Sequence, residues 1–189
     1  MNLNLLETTR LSLTPFSAAD AEALHQLWTE PAGRKFLWDD QLIPLEIVHE
    51  VIEAGIESFA NHGFGFWVLR LKGDTELIGF CGLRHFEPAP DESPEVEILY
   101  GLKPEFWGKG LATEASLAVL HHGFEQAKLK QIYAGADPPN QTSFRVMQRL
   151  GMEFARRVTL QGINGEVTSD YYVLTRDQFE TKHCAERPE

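Results

Sequence analysis

Apolar and polar residues alternate over positions 10–16, with Leu11 and Leu13 on one face, the pattern of a short half-buried strand. Ser17 followed by Asp20 reads as an N-cap pair. Ala21, Leu24, Leu27 and Trp28 then recur at helical spacing. A second helix is predicted from Pro44 onward, where Val48, Val51, Ile52, Gly55, Ile56 and Phe59 mark one face and proline sits in the first turn. Residues 64–71 and 76–86 are rich in aromatic and branched side chains, and Lys72-Gly73-Asp74 between them predicts a hairpin turn. Positions 87–94 hold three prolines and three acids and read as a solvated loop. A strand over 95–102, a helix over 110–127, a strand over 129–136 and a helix over 140–150 stopped by Gly151 follow. Strands over 152–161 and 166–174 pair around Asn164-Gly165, a favoured two-residue turn.

The predicted order is therefore β-α-α-β-β-β-α-β-α-β-β. An antiparallel meander feeding one strand-helix-strand crossover makes a mixed, mostly antiparallel sheet flanked by helices. That is α+β (α/β in some schemes), and it is not a doubly wound dinucleotide fold.

Composition narrows the class. With 189 residues, 43% hydrophobic and 24% charged, the chain is expected to form one globular domain over residues 1–181, followed by a polar, frayed tail at 182–189. Lys plus Arg is 17 against 28 Asp plus Glu, a formal charge of -11 that repels a phosphate backbone and disfavours nucleic acid as a partner. A cationic substrate suits that charge. Cys81 and Cys184 are far apart, so a reduced compartment is expected rather than a disulfide framework. The start of the chain lacks signal-peptide character and no stretch reaches the 18 apolar residues of a span, so a cytoplasmic protein that is not membrane-bound is expected.

The stretch richest in chemistry runs from Glu97 to Ala115. A strand ends, Pro104 breaks it, and Gly108-Lys109-Gly110 opens a helix. Glycines permit positive φ and close backbone approach. The unpaired N–H groups of a first helical turn, with the helix dipole, favour an anion, and Lys109 adds a full charge. A pyrophosphate is expected here. The turn is not a Walker loop, because Lys109 is followed by Gly110 rather than Ser or Thr. Nor is it a dinucleotide fingerprint, which needs glycine where Thr113 stands. Taken alone, Gly108-Lys109-Gly110 is equally compatible with an ordinary glycine-capped strand-to-helix turn.

Its surroundings resemble the acetyl-CoA-binding motif of the GNAT N-acetyltransferases, in particular the RimJ/RimL branch of ribosomal-protein-alanine acetyltransferases. Glu97-Ile98-Leu99-Tyr100 and Phe106-Trp107-Gly108-Lys109-Gly110-Leu111-Ala112-Thr113-Glu114-Ala115 follow that branch nearly residue for residue. Asn140-Gln141-Thr142-Ser143, Leu150-Gly151-Met152 and the opening Leu6-Glu7-Thr8-Thr9-Arg10-Leu11-Ser12-Leu13 add separated matches in the same order. The resemblance spans roughly residues 6–175 and implies a GNAT fold. It implies that Tyr100, Gly101 and Leu102 take the pantetheine arm. The pyrophosphate would lie on Trp107, Gly108, Lys109, Gly110, Leu111 and Ala112, with Thr113 at the edge and Asn140 and Ser143 on the cofactor arm. This sequence departs from the branch at Leu99, usually glycine, at Gly101, usually aromatic, and at Met147, where many relatives carry tyrosine.

The implied reaction moves an acetyl group from acetyl-CoA to a primary amine by direct attack in a ternary complex, with a protein N-terminal α-amine as the first acceptor. A small-molecule amine (amino acid, polyamine or antibiotic) is the alternative, and a non-catalytic CoA-binding regulator is a third reading. The amine arrives protonated. Freeing it at pH 7 costs about 1.4 kcal/mol for an α-amine and about 4.6 kcal/mol for a lysine. Glu97, on the strand beside the expected thioester, is the candidate base, with Glu95 on the same face and Asp137 as weaker ones. Ser143 is the candidate donor to the leaving thiolate, or else only a helix or cofactor contact. No metal is expected: His121 and His122 point apart on a helix, and Cys81 with His85 supplies only two ligands. The fold is compatible with a monomer or a homodimer.

Overall fold

The computed structural model describes residues 4–87, 94–162 and 165–183. Most of the proline-rich loop, Asn164 of the final turn, and the tail from Cys184 onward lie outside them. Eight strands form a single sheet in the order β1-β2-β3-β4-β5-β6-β8-β7. They are β1 (Leu6–Glu7), β2 (Leu11–Pro15), β3 (Phe66–Leu71), β4 (Gly79–Phe86), β5 (Glu95–Leu102), β6 (Gln131–Ala136), β7 (Glu153–Gly162) and β8 (Gly165–Thr175). The helices are α1 (Ala21–Thr29), α2 (Pro31–Arg34), α3 (Leu45–His62), α4 (Leu111–Glu125), α5 (Gln141–Leu150) and α6 (Arg176–His183). The predicted mixed, mostly antiparallel α+β architecture is the observed one.

Two apolar cores sit on opposite faces of the sheet, as alternation along each strand requires. On one face Leu83, Ile98, Leu102 and Met147 pack with Val119 and Phe124 of α4. On the other, Val68 and Phe80 pack with Leu24 and Trp28 of α1 and Ile52 of α3. Helix ends follow local chemistry. Gly63 and Gly151 close α3 and α5 at φ of 76° and 86°. Before α1, Asp20 accepts hydrogen bonds from the Ser17 backbone N–H at 3.0 Å and hydroxyl at 2.6 Å. That pair shapes a 3-10 turn over Ala18–Asp20, and α1 starts one residue after it.

Four elements were not predicted. β1 is only two residues long. α2 and a 3-10 turn at Trp38–Asp40 lie in a stretch with no apolar period. α6 begins inside the expected domain, and only its last two residues, Lys182 and His183, reach into the segment marked as frayed tail. It is largely polar, yet Phe179 inserts beside Phe124 at 5.1 Å between ring centres and is 3% exposed. One buried aromatic with a hydrophobic partner anchors a helix that the overall pattern does not betray. Among the described residues, no helix is long and apolar enough to cross a membrane.

One topological fact positions the site. Every neighbouring pair in the sheet is antiparallel except β5 with β6, which run parallel because α4 crosses over between them. β5 is fully registered with β4, from Glu95 opposite Phe86 to Leu102 opposite Gly79, but meets β6 only at Glu97 opposite Tyr133. Beyond Glu97 the two strands separate, and the β6-facing edge of β5 has no ladder partner.

Candidate active site

The gap between β5 and β6 opens into a cavity of about 500 Å³. Its lining includes Tyr100, Gly101, Leu102, Trp107 and Ala112 on one side, Ala136, Asp137, Asn140 and Ser143 on another, and Glu97 between them. Of the sequence-predicted residues, those of β5 and the start of α5 line this cavity together with Trp107 and Ala112, whereas Gly108, Lys109, Gly110, Leu111 and Thr113 are not among its lining residues.

The glycine turn follows from its backbone. Pro104–Phe106 form a 3-10 turn, Gly108 and Gly110 take φ of 73° and 76°, and α4 starts at Leu111. A Cβ on Gly108 would meet nothing within 4 Å, so its glycine is required by conformation and not by crowding. Gly110 is the N-cap and its carbonyl accepts from the Glu114 N–H at 3.0 Å. The N–H groups of Leu111, Ala112 and Thr113 therefore have no partner within the helix and point out from its end. Lys109 lies over the Phe106 ring with Nζ 5.2 Å from its centre. Trp107, 44% exposed, uses both its donors internally: its backbone N–H goes to the Pro104 carbonyl at 3.1 Å and its indole to the Leu102 carbonyl at 2.7 Å. Its part in the site is shape.

A second cation reaches the turn from the other end of the chain. Arg10 donates to the Lys109 carbonyl at 2.9 Å and is ion-paired with Glu114 at 2.6 Å. Glu114 also accepts from the Thr8 hydroxyl at 2.6 Å and the Arg10 N–H at 2.8 Å. Partial burial alone would raise the Glu114 carboxyl, but the Thr8 and Arg10 donors outweigh it and hold the group below its usual range. The opening segment is thereby pinned to the first turn of α4. The backbone donors, two cations and open glycine turn fit a pyrophosphate.

Glu97 is 4% exposed, on the face of β5 that looks toward α1 and α3. Burial raises its pKa, and Arg84, directly opposite on β4, partly offsets that. Both Arg84 contacts, from Nε at 2.8 Å and Nη2 at 2.7 Å, go to Oε1, which leaves Oε2 outside the pair. Glu95 is ion-paired with Arg156, and Asp137 accepts from the Ser169 hydroxyl at 2.9 Å. Tyr171 lines the cavity above Gly135, where a Cβ would come 2.8 Å from its ring. Its pKa is pushed up to about 12, first by burial and then by the Glu97 charge, so it stays a donor at neutral pH.

On the opposite face of β5 the Tyr100 hydroxyl donates to the Ser143 carbonyl at 3.2 Å, and burial raises its pKa. Asn140 caps α5 by accepting from the Ser143 N–H at 3.2 Å. Ser143 and Val146 line the cavity, whereas Met147 is 1% exposed and packs in the core. His122 is likewise a core residue, its Nε2 2.7 Å from the Gly63 carbonyl.

Reading the sequence alone missed Arg10, Arg84, Ser169 and Tyr171. Arg84 had a signal, as the charged residue in an otherwise apolar strand whose alternation puts it opposite β5. The other three are joined to the site only by the fold.

Comparisons with known proteins give the family. The description of the acetyltransferase (GNAT) domain matches residues 10–153. The uncharacterized N-acetyltransferase p20 of Bacillus licheniformis is 28% identical over 155 residues, covering 80% of this chain and 83% of that protein. The spermidine N(1)-acetyltransferase of Escherichia coli K12 is 21% identical over 164 residues, 86% of this chain and 78% of that one. Among solved structures, the RimL ribosomal L7/L12 alpha-N-protein acetyltransferase in complex with coenzyme A superposes with a TM-score of 0.75 at 18% identity, over 93% of this chain and 99% of that one. With its family description matched over more than half of its length, the chain belongs to the GNAT acetyltransferases and is an acyltransferase of that family.

Proposed function

We propose that the protein transfers an acetyl group from acetyl-CoA to a primary amine, with an α-amine, as at a protein N-terminus, as the acceptor class. The observation that carries this reading is the buried Glu97 at the point where β5 and β6 part. A carboxylate with a raised pKa is a stronger base than a solvated one, and an α-amine at pH 7 asks only about 1.4 kcal/mol of it. Lysine would ask about 4.6 kcal/mol. The similarity in fold to an alpha-N-protein acetyltransferase supports the same choice.

When bound, acetyl-CoA supplies the activated thioester carbonyl. The turn from Gly108 to Ala112, with Thr113 at its edge, Lys109 and Arg10 would hold the pyrophosphate, and Tyr100, Gly101, Leu102, Asn140 and Ser143 the arm. Glu97 Oε2 takes the ammonium proton, directly or through one water, while Arg84 fixes the carboxylate by Oε1. The unladdered edge of β5 offers backbone N–H groups to developing negative charge without rearrangement, the condition under which such donors are most effective. In this reading the attacking nitrogen forms the amide bond as the C–S bond breaks, its remaining extra proton passes to water, and Ser143, which lines the cavity, donates a proton to the departing sulfur and is reprotonated from solvent.

A small-molecule amine is the second reading, favoured by the similarity to a spermidine acetyltransferase over most of both chains. Release of free thiol from acetyl-CoA, followed over short peptides of varied N-terminus, spermidine and lysine, decides between them. We expect release with α-amines and acetylated product at the α-nitrogen by mass spectrometry. Acetyl-CoA binding with no release from any amine would instead leave a CoA-binding regulator.

A further inference from the structure

The cavity continues past Glu97 into a second half whose described walls are apolar and mainly aromatic: Trp28 from α1, Phe36 and Trp38 from the segment after α2, Val51 from α3, Phe80 from β4 and Leu99 from β5. We propose that this half selects an acceptor whose amine is attached to a bulky apolar group, aromatic or branched aliphatic, in preference to a small or polycationic amine. The proposal rests on the acetyl-transfer reading and names the substrate class of that same site.

Three observations converge on it. The aromatic rings form a connected wall. Phe80 stands edge-on to Trp28 at 5.7 Å and 85°, and Trp28 lies 5.7 Å from Trp38 at 57°. Phe80 takes its place because its cross-strand partner is Gly101: a Cβ there would come 2.6 Å from Phe80 Cε1. Leu99, on the same face of β5 as Gly101, adds an aliphatic surface to the wall.

Charge points the same way. Among the described side chains, the cavity's carboxylates are Glu97, held by Arg84, and Asp137, which accepts from Ser169; both stand at the β5–β6 end. The aromatic half carries a cation, Lys35. Among the described side chains, a second ammonium on the acceptor would meet no carboxylate there and would be repelled by Lys35, whereas an apolar group gains by leaving water.

The third observation is backbone strain. Trp38 has φ of 56°, a conformation L-residues rarely adopt. The turn is held by the Gln41 N–H to the Trp38 carbonyl at 2.8 Å and by the Arg34–Asp40 pair at 2.8 Å. Strain sustained by local bonds, at the residue that completes an aromatic wall, indicates that the position of the indole matters.

The test compares phenylalaninamide, leucinamide and glycinamide, which share an α-amine of similar basicity, with spermidine. A tetrapeptide beginning with Phe separates a peptide acceptor from a free small molecule. Thiol release gives kcat/KM, and quenching of tryptophan fluorescence in the CoA-bound protein gives binding independently of turnover. We expect phenylalaninamide and leucinamide to exceed glycinamide and spermidine by about 10-fold or more in kcat/KM, the discrimination a hydrophobic pocket provides. Trp38→Gly, which removes the indole and relieves the positive φ, and Phe36→Ala, at a half-exposed position, should each shrink that ratio several-fold while CoA affinity by calorimetry holds. Glycinamide or spermidine matching the bulky amines in rate and quenching, or quenching by none of the four, overturns the proposal. Selective quenching by the bulky amines with no thiol release supports the pocket chemistry and overturns the transfer reading instead.

Discussion

The two halves of the cavity obtain their surfaces from different sources. The half around β5, the glycine turn and α4 is mostly backbone: an unladdered strand edge, two glycines at positive φ and the free N–H groups of a helix end. Side chains there mainly hold that backbone in place, as Glu114 does through Thr8 and Arg10. The half around α1, α2 and Trp38 is mostly side chain, with Trp28 packed against Trp38 on one side and edge-on to Phe80 on the other. A backbone site binds what is common to every acyl donor of one kind. A side-chain site can be rebuilt residue by residue without disturbing the fold. Glu97 sits where the halves meet, and its removal should be felt more than any change within either.

Glu97→Gln is therefore expected to have the largest effect, a loss of about 10²–10³-fold in kcat/KM with acetyl-CoA affinity unchanged, as measured by thiol release beside calorimetry. The wild-type profile should rise with pH through the raised pKa of Glu97. Stability should move the other way. A carboxyl whose folded pKa lies above its unfolded one contributes most below the unfolded value and loses that contribution as pH rises through the folded one. Glu97→Gln should thus melt at or above the wild-type temperature at pH 7 while failing in catalysis. A variant equally active but less stable would make Glu97 a structural partner of Arg84.

Gly110→Val tests the backbone half. A β-branched residue at φ of 76° is strained by about 1–2 kcal/mol, and the N-cap of α4 would shift. We expect acetyl-CoA binding to weaken about 10-fold or more and Tm to fall by several degrees. Because Phe80 and Trp28 belong to the other half, the order of preference among amines should survive. If that order inverted, the halves would be coupled.

Gly101→Ala probes the seam from the other side. Its Cβ would meet the Phe80 ring at 2.6 Å, so the ring must turn away and carry part of the aromatic wall with it. Overpacking of this kind costs about 1–3 kcal/mol. We expect a several-fold rise in acceptor KM, with a much smaller change for acetyl-CoA, read from initial rates at saturating donor.

The same division explains what was legible in the sequence. The backbone half follows from contiguous signals: a proline that ends a strand, paired glycines, a helix start, and an asparagine capping α5, all within residues 95–150. The fold order was legible too, because β2, β3, β4, α3 and α5 carry strong periodicity. α2 and the Trp38 turn were not, since their conformation comes from Arg34–Asp40 pairing and from packing against α1 rather than from any local apolar pattern. Arg10 reaches the site only through docking of the opening segment on α4, 104 residues away along the chain, and Tyr171 only through the β6–β8 register opposite Gly135. The fit of the Phe80 ring over Gly101 was unreadable until the strands were paired.

The smallest expected effect separates charge from shape in the glycine turn. Lys109→Ala removes a solvated cation, whose attraction for an anion at a helix end is about 0.3–1 kcal/mol and screened by salt. Acetyl-CoA affinity should fall only about 2–5-fold at low ionic strength, and the gap from wild type should close as salt is raised. Arg10→Ala should do more, because it removes a charge and also the bond to the Lys109 carbonyl and the partner of Glu114. Some of its loss should therefore persist at high salt. Two variants with the same salt dependence would mean that Arg10 acts by charge alone and that the opening segment does not shape the turn. A persistent difference would show the bend between β1 and β2 setting the geometry of an anion site that lies about a hundred residues away along the chain.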